Sequence, residues 1–322
     1  MRPAVVYGDP SEVHTTDSLL TAIHACAAAR GLRRSRLAVI GSAAPGFIAM
    51  EVDPFELKDH LGVQHQTVSL TDFRAFFDEV AQSDIDADLA RTKELGLPLK
   101  EVEPADLAVQ SRYYLALKRY FEQEHFDAVA LRCWPELPNE YGQWPYLAMT
   151  RLTEEGYPIS MEGDSYGAIG SWLAEALGMG RCYISDWLGH DENTITLWHA
   201  GNLPFSLSPP VGSPGGPVVA RHFNVPKPAV VESILRPDMD VTLFRIWRGH
   251  GGLKMAVMEG VSVQPRRPLM GTNGLVAFDD VDVNDFFLYL VRSGMPHHIA
   301  LCEGHHAERL EAVADLLGIA TQ

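Results

Sequence analysis

Two short, unbroken apolar runs limit what this chain can fold into. LAVIG at 37–41 ends in a glycine, and FDAVALRC at 126–133 ends at Cys133-Trp134-Pro135. Apolar runs this short and unalternated read as strands buried on both faces. Segments of helical period lie between them, at 53–62, around 72–82 and at 105–124. In the last of these Leu107, Tyr114, Leu117 and Tyr120 recur at helical spacing. Strands that alternate with helices predict a parallel sheet covered on both sides. The spacing further predicts a strand at 65–70, a helix over 144–155 and a strand over 157–162. Residues 36–160 are therefore expected to form a Rossmann-like α/β domain, behind an N-terminal segment and helix over 1–35 with Asp17 as the helix cap.

After residue 162 the texture changes. One helix at 165–178 is followed by strand patterns at 181–187, 193–199, 240–247 and 254–263. A helix at 284–293, a strand at 295–304 and a helix at 307–317 close the chain. This second part, 161–322, is expected to be an α+β domain rich in antiparallel strands. It contains a Pro/Gly/Ser-rich segment at 203–228, too long for a routine connection, which reads as an active-site or interface loop. GSAAPGF at 41–47 and GHGGLK at 249–254 lack the spacing of phosphate loops and read as ordinary turns.

With 322 residues there is room for two cores. The net charge of −16 argues against nucleic acid and anionic membrane as partners. No apolar run reaches the length of a membrane span, and the N-terminus has no apolar segment of signal-peptide type. The four cysteines form no Cys-x-x-Cys pair. That spacing points to a reduced, cytoplasmic protein without structural zinc.

The chemistry concentrates at 161–202. Glu162 and Asp186 each end a short apolar strand, where α/β proteins place ligand-binding groups. His199 follows in the turn WHAGN (198–202). An apolar strand would leave Glu162 buried without a partner unless something positive sat beside it. Carboxylates with imidazoles are the donor set of a divalent-metal site. Asp164 or Ser165 reads as a helix cap. His298 lies in the apolar strand HHIALC, where strand alternation lets only one of His297 and His298 face a site. His305 and His306 read as solvent-facing. Trp134, Trp187 and Trp198 offer flat faces for a ligand, although core packing is the commoner use of tryptophan. Arg132 is placed either to touch a ligand hydroxyl or phosphate or to form a buried salt bridge, and Cys133 reads as a packed thiol.

RCWPE (132–136), MEGDSYGA (161–168), SDW (185–187), WHAGN (198–202) and PHHIALCEG (296–304) occur in an order that resembles the C-terminal two-thirds of the L-fucose/L-arabinose isomerase superfamily, on its fucose-isomerase-like side. The resemblance covers residues 36–320. It departs from the family at Met161 and Ala200, where cysteines are frequent, and in the α/β domain that members carry ahead of this part. The resemblance implies a metal-dependent aldose–ketose isomerase working on a sugar or small polyhydroxy carbonyl compound through an enediol. Glu162 and Asp186 would be metal ligands and acid/base groups. His298 would be a further ligand, and His199 would match an arabinose-type one. Trp134, Arg132, Trp187, Trp198 and Asn202 are the expected substrate contacts. The expected metal is Mn²⁺, with Mg²⁺, Co²⁺ or Fe²⁺ as alternatives. A homo-oligomer is expected, or a separate chain that stands in for the preceding domain. The alternative function is another metal-dependent reaction, an epimerase or lyase on a modified sugar, or a non-catalytic sugar-binding subunit.

Overall fold

The computed structural model describes residues 2–279 and 281–322. Helix α1 (Val13–Leu32) leads into β1 (Arg36–Ile40), α2 (Pro54–Leu61), β2 (Gln64–Val68), α3 (Leu70–Glu79), α4 (Gln82–Glu94), α5 (Asp106–Glu122), β3 (Ala128–Leu131), α6 (Tyr146–Glu154) and β4 (Ile159–Ser160). These strands form a parallel sheet in the order β2-β1-β3-β4. β3 is buried at every residue and β1 at four of five, which is why neither shows polar alternation. Helix α2 has Asp53 as its cap, accepting from the Phe55 and Glu56 amides, and Gly62 ends it in the left-handed conformation.

Helix α7 (Ser165–Ala176) connects this layer to the rest. It is followed by β5 (Tyr183–His190), β6 (Thr194–His199), β7 (Val218–Ala220), β8 (Val230–Ile234), β9 (Asp240–Gly249), β10 (Gly252–Val263), β11 (Thr272–Ala277), α8 (Val283–Arg292), β12 (His298–Glu303), α9 (Ala307–Leu317) and β13 (Ala320–Thr321). Antiparallel neighbours run β10-β9-β12-β5-β6-β11, and β10 also pairs with β11, so the ring closes into a barrel. Closure removes the exposed edges that an open antiparallel sheet would leave. The fold is thus a parallel α/β layer joined to an antiparallel barrel, the mixed architecture expected.

One apolar cluster runs from α1, β1 and β3 through Ile169 and Leu173 of α7 to Phe244 of β9 and Ala300 of β12. A second fills the barrel around Trp247, Leu243 and Ile299. The packing makes α7 a shared wall, because its glycines bring β9 close: Phe244 sits where a Cβ on Gly170 would be in van der Waals contact.

Several boundaries differ from expectation. α1 begins at Val13, ahead of Asp17, which is not its cap. α4 forms within a charged segment with little apolar period. Its inner face mixes Ile85 with polar groups: Asp88 is buried and pairs with Arg151 at 2.7 Å. β4 ends at Ser160, so Glu162 stands in the turn beyond it. GHGGLK is the hairpin turn between β9 and β10. No helix among the described residues is long and apolar enough to cross a membrane.

Candidate active site

Glu162 owes its position to an unusual backbone. Its φ is +61°, left-handed for a non-glycine residue, and Gly163 follows at +73°. The turn is pinned from both sides. The Ala44 amide donates to the Glu162 carbonyl at 2.9 Å, and the Gly163 amide donates to the Leu131 carbonyl at 3.0 Å. A Cβ on Gly163 would lie 2.2 Å from the Ser42 carbonyl oxygen, so this residue has no room for a side chain. The result aims the Glu162 carboxylate away from the parallel sheet, where Trp134 Nε1 donates to Oε1 at 2.8 Å.

The barrel brings the other groups. In the register of β5 and β12, His298 stands directly opposite Asp186, and on the other side Asp186 faces Trp198 of β6. Residues opposite one another in an antiparallel pair share a face. His298 Nε2 consequently lies 3.1 Å from Glu162 Oε2 and 3.4 Å from Asp186 Oδ1. These are close charge contacts, but neither is aligned as a hydrogen bond. His199 completes a second group: one donor atom each from Asp186, His199 and His298 lie within 4.8 Å of one another. Asp186 Oδ1, His199 Nδ1 and His298 Nε2 are all buried without a hydrogen-bond partner. Buried polar atoms are rarely left so. Three orphaned donors of the right chemistry in one place fit a divalent cation held by oxygen and nitrogen.

Asp164 explains why His298 points as it does. As the cap of α7 it accepts from the Gly167 amide at 2.9 Å. Arg245 of β9 donates to it from both guanidinium nitrogens, at 2.5 and 2.8 Å. His298 Nδ1 lies 2.8 Å from Oδ2. A carboxylate only accepts, so Nδ1 carries the proton and Nε2 is the atom turned to Glu162 and Asp186. Asp164 thus holds the ring as an outer carboxylate holds a metal-binding histidine, leaving Nε2 free to face Glu162 and Asp186. Sequence reading found Asp164 as a cap and missed this second role.

The field of the cluster separates its two carboxyls. Burial pushes Glu162 up, but the contact with His298, the fields of His199 and His298, and the Trp134 hydrogen bond outweigh it and hold the group at about 2. Burial dominates at Asp186 and raises it to about 6, against the pull of His298. His298 is raised to about 9: burial disfavours its charge, and the contacts with Asp164 and Glu162 more than offset that. Burial lowers His199 to about 3.

Glu162, Asp186 and His199 line one wall of a cleft with about 280 Å³ of free space, and His298 lies buried behind them. Opposite and around them stand Phe47, Trp134, Asn139, Trp144, Tyr146, Trp198, His222, Phe223 and Asn224. Of the expected substrate contacts, Trp134 and Trp198 line the cleft. Three do not. Arg132 is spent on Glu136 at 2.5 and 2.8 Å and on the carbonyls of Gly41 and Ala43, which makes it a strut under the β1 turn. Trp187 packs in the barrel interior against Phe287. Asn202 donates to the Ile184 carbonyl behind the site. The expected choice between His297 and His298 also fails. β12 starts at His298, so His297 sits in the preceding turn, where alternation does not apply, and its Nε2 reaches to 3.6 Å from Asp186 Oδ1. Cys133 is a packed thiol at 3.3 Å from the Tyr146 hydroxyl.

Two family models match the chain: the L-arabinose isomerase central domain over 47–178 and the L-fucose isomerase C-terminal domain over 231–322. These two matches make the chain similar to the L-fucose/L-arabinose isomerase superfamily over both parts of its fold. The chain is 28% identical over 327 aligned residues to the sulfoquinovose isomerase of Priestia megaterium, covering 99% of this chain and 71% of that protein. The corresponding enzyme of Priestia aryabhattai gives the same figures. That of Alkalicoccus urumqiensis is 24% identical over 317 residues, covering 98% of this chain and 70% of its own. The two matched regions meet where His298 approaches Glu162, at 3.1 Å. Glu162, Asp164 and the cleft residues from Phe47 to Tyr146 fall in the arabinose-type match, and His298 falls in the fucose-type match.

Proposed function

We propose that this chain is a metal-dependent aldose–ketose isomerase acting on sulfoquinovose or a closely similar six-carbon sugar through an enediol. The observation that carries the reading is the group of three unpartnered buried atoms, one each from Asp186, His199 and His298, with Glu162 3.1 Å from His298, beside a sugar-sized cleft. The relatives, isomerases of a modified sugar, supply the substrate class.

The residues that would hold the metal are Glu162, Asp186 and His298, with His199 beside them. Mixed carboxylate and imidazole donors favour Mn²⁺ over Mg²⁺. The metal, when bound, stabilises negative charge as it develops on the sugar oxygens. The chain's own groups do the rest. Trp134 fixes Glu162, and Arg245 with Asp164 fixes the His298 ring, so little rearrangement is needed on binding. One of the two carboxylates takes the proton from C2 of the open-chain aldose. The electron pair moves into the C1–C2 bond and the C1 carbonyl oxygen gains a proton, giving the enediol. Loss of the O2 proton and delivery of a proton to C1 gives the ketose, so C2 is oxidised and C1 reduced with no external redox partner. Apolar walls at Phe47, Trp134, Trp144 and Tyr146 limit water around the enediol.

The test is turnover of sulfoquinovose in D₂O by manganese-loaded protein, with deuterium followed at C1 of the ketose. Glu162→Gln and Asp186→Asn are each expected to lower kcat by about 10²–10⁴-fold with the fold intact by circular dichroism. Absence of both isomerisation and deuterium exchange with sulfoquinovose, fucose and arabinose would falsify the reading.

A further inference from the structure

His222 lies outside every motif that marks the superfamily, in the segment after β7, yet it stands in the cleft. Its ring lies flat on Trp144, centroids 3.8 Å apart and planes 12° apart, and it is also stacked on Tyr146 at 6.3 Å. The turn around it is closed on itself. The His222 amide donates to the Lys227 carbonyl at 3.0 Å, and the Trp144 indole donates to the Val225 carbonyl at 3.1 Å. The Asn224 and Val225 amides both point at His222 Nδ1, at 3.2 and 3.4 Å.

Those two amides decide the tautomer. Backbone N–H groups only donate, so Nδ1 must accept, and the single proton of the neutral ring sits on Nε2. Burial holds the ring neutral, at about 4, against the opposing field of Glu162. The residue is 5% exposed, and Nε2 makes no hydrogen bond among the described residues. An oriented N–H that faces the cleft without a protein acceptor among the described residues has a place for a ligand oxygen.

We propose that His222 is a substrate-binding residue whose Nε2–H donates to an oxygen on the part of the sugar chain away from the metal-binding carboxylates. The ring acts as a preset donor: stacking fixes its plane, the turn fixes its tautomer, and neither must reorganise when the sugar arrives. A neutral donor of this kind serves a hydroxyl or a sulfonate oxygen. The inference rests on the isomerase reading for the kind of ligand, not on turnover.

The experiment measures binding of two open-chain polyols that cannot isomerise, D-glucitol and 6-deoxy-6-sulfo-D-glucitol, to manganese-loaded protein by isothermal titration. In His222→Asn the side-chain oxygen still accepts from the two turn amides, but nothing reaches the Nε2 position. In His222→Gln the amide nitrogen takes the Nε2 position. His222→Asn is expected to weaken binding by about tenfold, with an unchanged melting temperature, and His222→Gln to recover most of the loss. A loss confined to the sulfonated polyol assigns the sulfonate to His222, and an equal loss for both assigns a hydroxyl; both support the proposal. Equal affinity of wild type and His222→Asn for both polyols overturns it and leaves the isomerase reading standing. Failure of the wild type to bind either polyol overturns both. Binding that depends on His222 without any turnover removes the isomerase reading alone.

Discussion

At the scale of single residues, Asp164 bears the most connections in the site. It caps α7, neutralises Arg245 and turns His298 Nε2 toward Glu162 and Asp186. Asp164 and Arg245 are both almost wholly buried, and breaking such a pair leaves an uncompensated charge. Asp164→Ala is expected to cost about 3–5 kcal/mol of stability, read by urea unfolding. Asp164→Asn retains an acceptor for Gly167 but weakens the hold on the imidazole, so Mn²⁺ affinity is expected to fall about 10–100-fold. Calorimetric titration with Mn²⁺ checks this, and an unchanged affinity would remove Asp164 from the site. Glu162 and Asp186 were legible as candidate site residues because each follows an apolar strand. Asp164 was legible only as a cap, since Arg245 and His298 reach it from far along the chain.

At the scale of elements, the strands of the barrel set the site through their register. A one-residue slip of β12 against β5 would turn His298 to the other face. The β5–β6 connection helps hold β5 and β6 in line. Asp191 accepts from the Thr194 amide at 2.9 Å and from the Thr194 hydroxyl at 2.7 Å, and it pairs with Arg266 at 2.6 Å. The Thr194 and Arg266 hydrogen bonds lower its carboxyl from the usual value to about 2. A depressed acid contributes stability above its unfolded pKa near 4 and loses it as the pH falls toward 2. The stability difference between wild type and Asp191→Asn is therefore expected to shrink between pH 5 and pH 2.5, as measured by guanidinium unfolding. A constant difference would show that the turn does not depend on the charge. The helix α4 and the strands β8 and β11 escaped the sequence reading for local reasons. α4 buries an Asp88–Arg151 pair where apolar period is normally sought. β11 has Gly274 at its centre, against Leu235, where a strand pattern expects a side chain.

At the scale of the whole molecule, the proposed ligands come from both parts of the fold. Glu162 leaves the parallel layer, while Asp186, His199 and His298 stand on barrel strands. A cation held by this set would link the two parts and favour the folded state. Mn²⁺ at about a hundred times its Kd is expected to add about 2.7 kcal/mol, seen as a rise in melting temperature that a chelator reverses. Glu162→Gln should lose most of that rise. A melting temperature indifferent to Mn²⁺, Co²⁺ and Mg²⁺ alike would exclude a metal held across the joint.

Local chemistry is written in local sequence. The buried runs at 37–41 and 126–133 dictated a parallel layer, because a segment apolar on every residue has to be covered on both faces. The motifs at 161–168, 185–187 and 296–304 singled out Glu162, Asp186 and His298. Contacts between distant segments were decided only in three dimensions. Closure of β10 on β11 made the barrel. The start of β12 at His298 released His297 from strand alternation and let it approach Asp186. The demands of Glu136 took Arg132 out of the cleft, and barrel packing took Trp187. Stacking on Trp144 brought His222 in from a Pro/Gly-rich segment that has no periodicity to read. Spacing along a chain reports which face of an element a residue occupies. It does not report which other element will meet that face, and it was at such meetings that the site was assembled.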